Sequence, residues 1–230
     1  MTKFISVQHT YQGVEIALFN DSRMVEKVFD DKKRASKNFV AMVSSLLGKH
    51  NCSIGDLSFI AANQGPGPFT TLRVVISSVN GLAFGAKKPL IGVDGLDAIL
   101  SEFSNNSCAI TAVLLDAFSS DVYFAFQHVD FVDVPKGYKN ISVLLHELKS
   151  LSNEEDVYFV GNGSSKYKDE IVSLFADKAV FTDPIAQQSS IECVGKMAFQ
   201  KWEQSEGLTD QLFPVYLKDI RIKKTVPSSF

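Results

Sequence analysis

Asn63-Gln64-Gly65-Pro66-Gly67-Pro68-Phe69-Thr70-Thr71-Leu72-Arg73 is the stretch of this chain whose residue types and spacing could do chemistry. Glycine reaches backbone shapes that side chains forbid, and proline stiffens what it joins. The apolar run Leu57-Ser58-Phe59-Ile60-Ala61-Ala62 before it predicts a buried strand, and Leu72 to Ala86 after it predicts a helix. The cluster is then a tight strand-to-helix loop, with Thr70 or Thr71 placed to cap the first free N–H groups. Such a loop can hold an anion at the helix N-terminus. A structural turn with a cap is the plainer reading, since such loops are common where strands and helices alternate.

Other chemistry is harder to find. The histidines His9, His50, His128 and His146 are dispersed, and no His-x-x-x-His pair exists for a metal. There is no Walker loop and no Gly-x-Ser-x-Gly elbow. His9 falls near the end of the first strand, where a lone histidine is usually incidental. Asp116 could act as an acid in a cleft, with Tyr123 and Phe118 beside it. Its plainer role is a strand-end Asp making turn hydrogen bonds. The catalytic and metal sets of this chain are therefore expected to be empty.

Bulk properties narrow the class. The net charge is −3, which gives no broad attraction to nucleic acid. The tail residues Lys218, Arg221, Lys223 and Lys224 read as a solvated charged end. Cys52, Cys108 and Cys193 are far apart and odd in number, so neither a disulfide framework nor a zinc site is expected. No signal peptide and no membrane-spanning run are read, and a cytoplasmic protein is expected.

Three strands are read at Phe4–Gln8, Val14–Asn20 and Arg23–Phe29, with Asn20-Asp21-Ser22 as a hairpin turn. A helix over about Lys33–His50 follows, with Phe39, Val40, Val43, Leu46 and Leu47 on one face. After the loop and its helix come a strand at Leu90–Val93 and a helix from Gly95 to about Phe103. Ser104-Asn105-Asn106-Ser107 breaks the pattern, so lobes are placed at 1–103 and 104–230. The second lobe repeats the order. Strands are expected at Ala109–Leu115, Val122–Val129, Val157–Val160 and Lys178–Thr182. Helices are expected at Ile141–Leu151, Ser165–Phe175 and within Pro184 to Glu203. The last helix or tail is free to pack back on the first lobe.

The helix after the loop has two faces. Leu72, Val75, Ile76, Val79, Leu82 and Ala83 form a core stripe. Val74, Ser77, Ser78, Gly81 and Gly85 form a second face of small residues, which admit a close helix backbone. Gly81 costs the helix roughly 1 kcal/mol relative to Ala. With Phe39 and Val43 from the preceding helix, this face suits an intermolecular bundle.

Gly65 to Arg73, continuing to Asn80-Gly81-Leu82-Ala83, resembles the signature of the TsaB (YeaZ) family, usually Gly-Pro-Gly-Ser-Phe-Thr-Gly-Leu-Arg. Weaker matches are Pro89-Leu90-Ile91-Gly92-Val93, Leu114-Leu115-Asp116-Ala117, Asp121-Val122-Tyr123, Val160-Gly161-Asn162-Gly163 and Pro214-Val215-Tyr216-Leu217-Lys218. Their order and spacing agree over most of the chain. The departures are Val7-Gln8-His9-Thr10 where the family often has Asp-Thr-Ser, together with Pro68, Thr71 and Phe118, and Ser36-Lys37 where a histidine is common. This is a divergent resemblance. It implies an α/β, duplicated actin-like or ribonuclease-H-like (ASKHA) fold of two lobes. It also implies a non-catalytic scaffold for tRNA threonylcarbamoyladenosine modification, with Gly65, Pro66, Gly67, Phe69, Thr70 and Arg73 as signature residues. The implied partners are a second copy or a TsaD-like subunit through the two helices, with a TsaE-like ATPase, and tRNA only through the complex. No cofactor is implied in the chain itself, while a nucleotide at the partner interface stays open. A small actin-like-fold ATPase or kinase is the alternative, and the missing acidic first strand counts against it.

Overall fold

The central strands of the first sheet are buried on both faces, which is why they read as nearly continuous apolar runs. In the computed structural model, which describes residues 1–217 without the Ser36 side chain, this sheet contains β1 (Lys3–His9), β2 (Gly13–Asn20), β3 (Arg23–Asp31), β4 (Phe59–Asn63) and β5 (Leu90–Val93). Along β1, Ile5 and Val7 face one way, toward α1 (Ala35–Lys49) and α2 (Phe69–Ala86), and pack with Phe39, Leu46, Val75 and Val79. Phe4 faces the other way and joins Phe19, Phe59 and Ala61.

The second sheet repeats the plan with β6 (Ile110–Asp116), β7 (Asp121–His128), β8 (Lys136–Asn140), β9 (Val157–Val160) and β10 (Ala179–Val180). The spatial orders are β3-β2-β1-β4-β5 and β8-β7-β6-β9-β10, so strand for strand the two sheets match. In each, a three-strand antiparallel meander is followed by two parallel strands. That is the duplicated α/β architecture.

The helices divide between outside and inside. α4 (Ile141–Leu151) and α6 (Lys168–Phe175) cover one face of the second sheet through Leu144, Leu148, Ile171 and Phe175. α3 (Gly95–Phe103), capped by the Asp94 carboxylate, covers its other face through Leu96, Ile99 and Leu100. α7 (Ile191–Glu203), capped by Ser190, crosses back onto the first sheet, and β11 (Leu208–Thr209) then pairs with β5 at that sheet's edge. A stacked column of rings marks the α7 contact. Phe4 lies 4.3 Å from Phe59 and 4.9 Å from Phe19, and Trp202 lies 4.8 Å from Phe59 between ring centroids.

Several elements depart from the sequence reading. The helix after the loop starts at Phe69 rather than Leu72, and its cap position is Pro68 with no side-chain cap bond. Thr70 and Thr71 lie inside the first turn and cap nothing. The helix expected over Ser165–Phe175 is two pieces, α5 (Asn162–Lys166) and α6, broken at Tyr167. The last helix starts only at Ile191, because the backbone of residues 186 and 187 is bonded to Gly161 and Asn162. β8 escaped the apolar pattern because it is a lysine-bearing edge strand, as edges commonly are. α2 also has the length and hydropathy of a membrane span, contrary to the reading of the sequence, yet its apolar stripe is spent on the core. Of the basic tail, Lys218, Arg221, Lys223 and Lys224 all lie outside the described residues.

Phe59→Ala should open a hole in the ring column and lower unfolding stability by about 3–5 kcal/mol. Denaturant unfolding followed by the fluorescence of Trp202, the sole tryptophan, checks this; an unchanged midpoint would mean the column carries no packing energy.

Candidate functional site

The signature loop is pinned on three sides. The Asn63 carboxamide oxygen accepts from the Gly65 amide at 2.9 Å, and the Gly65 carbonyl accepts from the Gly95 amide at 2.8 Å. Gly65 has φ of +99°, a shape that favours glycine. Gly67 sits directly on the imidazole of His9, and a Cβ there would overlap the ring. The loop therefore lies flat across the end of β1.

His9 is 5% exposed, and neither ring nitrogen has a hydrogen-bond partner. Burial pushes its pKa down from 6.5 to about 4, with the nearby Asn63 side chain offsetting part of the fall. His9 is thus a neutral spacer under the loop. The other histidines are elsewhere: His50 pairs with Glu26, His128 stacks on Phe131, and His146 bonds the Ser142 carbonyl on α4. Among the described residues no group of three or more His, Cys, Asp or Glu gathers as for a metal.

Asp116 sits at a strand end and makes turn hydrogen bonds. Its carboxylate accepts from the Phe118 amide at 3.0 Å, closing the turn, and from the Lys166 ammonium at 2.9 Å. The hydrogen bond to Asp116 raises the Lys166 pKa. The Tyr11 hydroxyl donates to the Asp116 carbonyl at 2.8 Å, tying the β1–β2 turn of one lobe to the β6–β7 turn of the other. A cavity of about 430 Å³ beside this tie is lined by Tyr11, Gln12, Glu15, Phe29, Asn162 and Gln187, among others. His9, Asp116 and Tyr123 do not line it; Tyr123 packs with Leu96 and Val113 under α3 and lies 6.0 Å from the Tyr138 ring.

The small-residue face of α2 points outward. Ser77, Gly81 and Gly85 are exposed, Val74 and Ser78 are half-buried, and a Cβ on Gly81 or Gly85 would meet none of the described residues within 4 Å. Phe39 and Val43, expected to join this face, are instead buried at 1% and 3% in the chain's own core. Their places outside are taken by Val40 at 63% and Phe84 at 87% exposed. The expected face of α1 was rotated because both sides of that helix carry apolar residues. Between α1 and α2 runs a groove of about 360 Å³ with Val40, Ser44, Leu47 and Leu82 along it and Val43 at its floor.

One group of contacts was not foreseen. The segment after β11 lies along α2, held by Gln64 and by the Arg73 and Asn80 side chains. Asn80 accepts from the Leu212 amide and donates to its carbonyl, both at 2.9 Å. Gln64 donates from its side chain to the Phe213 carbonyl and accepts at its own carbonyl from the Val215 amide, both at 2.8 Å. Arg73 donates through Nε to the Tyr216 hydroxyl at 2.8 Å, while its guanidinium lies 3.7 Å over the Phe69 ring. The signal available in sequence was the spacing of Arg73 and Asn80, two polar residues two turns apart and so on one side of the helix.

The family described as TsaD: tRNA N6-adenosine threonylcarbamoyltransferase matches this chain over residues 30–223. The tRNA threonylcarbamoyladenosine biosynthesis protein TsaB of Escherichia coli is 26% identical over 147 residues, spanning 64% of this chain and 64% of that protein's length. The protein of the same name from Haemophilus influenzae is 24% identical over 84% of this chain and 83% of its own. Among solved structures, an uncharacterized Pseudomonas aeruginosa protein with similarity to peptidase YEAZ superposes with a TM-score of 0.73 at 20% identity, over 95% of this chain and all of that one. A Bacteroides thetaiotaomicron protein described as having an actin-like ATPase fold and unknown function gives 0.50 at 6% identity, over 84% of this chain and 95% of that one. These likenesses establish the fold as the duplicated actin-like type.

His9 makes the molecule sensitive to mild acid. Between pH 6.5 and about 4 the unfolded chain binds a proton at this site and the folded chain does not. Stability should therefore fall as pH drops through that window, by about 3 kcal/mol in full. Denaturant midpoints measured from pH 7 to pH 4 check this; a His9→Leu variant should flatten that part of the profile, and an equally steep profile would refute the assignment.

Proposed function

Since the chain belongs to the family of TsaD, tRNA N6-adenosine threonylcarbamoyltransferase, as a divergent TsaB (YeaZ) member, we propose that it is a non-catalytic subunit of the bacterial tRNA threonylcarbamoyladenosine machinery. The observation that carries this reading is the outward face of α2. Gly81 costs the helix roughly 1 kcal/mol relative to Ala. Among the described residues nothing lies against it, so that cost has no return within the described fold. A second helix backbone brought against Ser77, Gly81 and Gly85, with Val40 and Phe84 flanking, supplies one.

The occupant of this face in the working complex is a TsaD-like subunit, which holds the metal and performs the transfer. A nucleotide, if bound, lies at their interface. A TsaE-like ATPase completes the set, and tRNA reaches this chain only through the assembly, in the cytoplasm. The pure chain dimerises through the same face, since a two-helix surface completes one bundle at a time. The rival reading, a small actin-like ATPase or kinase, is disfavoured by the Tyr11 tie across the lobes and by the engagement of Asp116 with Lys166.

Gly81→Leu should weaken both the homodimer and the complex with a TsaD-like subunit, by roughly 1–3 kcal/mol or about 5- to 150-fold in Kd. Light scattering and calorimetry measure the two, and a monomeric unmutated chain at high concentration would end the dimer reading. Deletion of the gene should abolish threonylcarbamoyladenosine in tRNA nucleosides by mass spectrometry, and normal modification would overturn the functional proposal. The purified chain should turn over no ATP. Robust hydrolysis lost on Asp116→Ala would make the chain an enzyme in its own right.

A further inference from the structure

The segment Gln211–Leu217 runs antiparallel to α2, with Leu212 at Asn80 and Tyr216 at Arg73. Three side chains and one backbone bond, from the Val215 amide to the Gln64 carbonyl, hold it there, not a sheet ladder. Leu212 is sunk in the core between the sheet and the outer helices, and Leu217 packs under α3. Between these anchors Phe213 is 64% exposed and Tyr216 46% exposed. Two aromatic rings are thus held in water by a segment anchored on both sides of them.

Their position relative to α2 gives them meaning. Phe69, Arg73, Ser77, Gly81 and Gly85 follow one another at four-residue steps, so each neighbours the next along a ridge that winds around the helix. The stacked guanidinium of Arg73 is where the strap joins that ridge. The small-residue stripe and the strap are therefore one continuous surface, small at the centre and aromatic at one end. Arg and aromatic residues are the types that dominate the energy of protein interfaces.

Resting on the partner reading above, we propose that Arg73 is a positioning residue: stacked on Phe69 and bonded to Tyr216, it holds Phe213 and Tyr216 as an aromatic wall of the surface that receives the TsaD-like catalytic subunit. The signature arginine thus acts through the chain's own C-terminal segment. Its planar fork does both jobs, stacking and donating, which an ammonium does not.

The test is the affinity of the full chain for a TsaD-like catalytic subunit, measured by calorimetry beside the thermal midpoint of each variant alone. Phe213→Ser and Tyr216→Phe should each weaken binding about tenfold with the midpoint unchanged. Arg73→Ala should do the same, Arg73→Lys should not rescue it, and the Arg73→Ala/Tyr216→Phe pair should lose less than the sum of its members. Unchanged affinity for Phe213→Ser and Tyr216→Phe overturns the inference, as does a loss that only tracks the thermal midpoint. Normal partner affinity with weakened tRNA binding by the assembled complex also overturns it and makes the wall an RNA surface. Gly81→Leu separates the premises. If it weakens the complex and Phe213→Ser does not, the aromatic wall alone is wrong; if Gly81→Leu is also silent, the partner reading has failed.

Discussion

The contact between Gly67 and His9 is the constraint on which the rest depends. The chain leaves β4, crosses over the end of β1 with no room for a side chain, and enters α2 one residue after Pro68. Because the crossing is flat, α2 starts close to the sheet and lays Leu72, Val75, Ile76 and Val79 onto it. That fixes the rotation of the helix, and so which residues look outward. The same rotation aims Asn80 and Arg73 at the returning C-terminal segment, and the loop itself offers Gln64. One steric requirement thereby orients the open stripe and docks the strap. The buried imidazole is tolerated because it is neutral; its desolvation is offset by the close packing of the loop above it.

Most of the fold was legible because its central strands are buried on both faces and its first hairpin carries clear turn residues. The strand Leu90–Val93 and the helices Gly95–Phe103 and Ile141–Leu151 fall where periodicity put them. Failures share a cause: contacts remote in sequence override local pattern. The segment around Gln187 does not join the last helix because its backbone is bonded to Asn162. The outward face of α1 was misjudged because Phe39, Val40 and Val43 are all apolar, and only tertiary packing says that Val40 is the one left out. Of the site, the outward small-residue face of α2 was readable from spacing alone. The strap was not. Its docking joins residues more than a hundred positions apart, and neither Pro214-Val215-Tyr216-Leu217 nor Arg73 announces the other.

The two lobes repeat one crossing and differ in the helix that follows it. In the second lobe the connection after β9 crosses β6 just as the signature loop crosses β1, and Gly161 and Gly163 press on the backbone of Leu114 where Gly67 presses on His9. Beyond that crossing the lobes diverge. α2 runs unbroken for 18 residues, about 27 Å at 1.5 Å per residue. Its counterpart breaks at Tyr167 into helices of 5 and 8 residues, with the Tyr167 ring buried at the break. Neither piece is long enough to lay a stripe of small residues along a partner helix, and the outer face of α6 carries Asp169, Glu170 and Val172 instead. A repeated crossing is thus followed by one continuous and one broken helix, and of these two only the continuous one carries the small-residue face along its length.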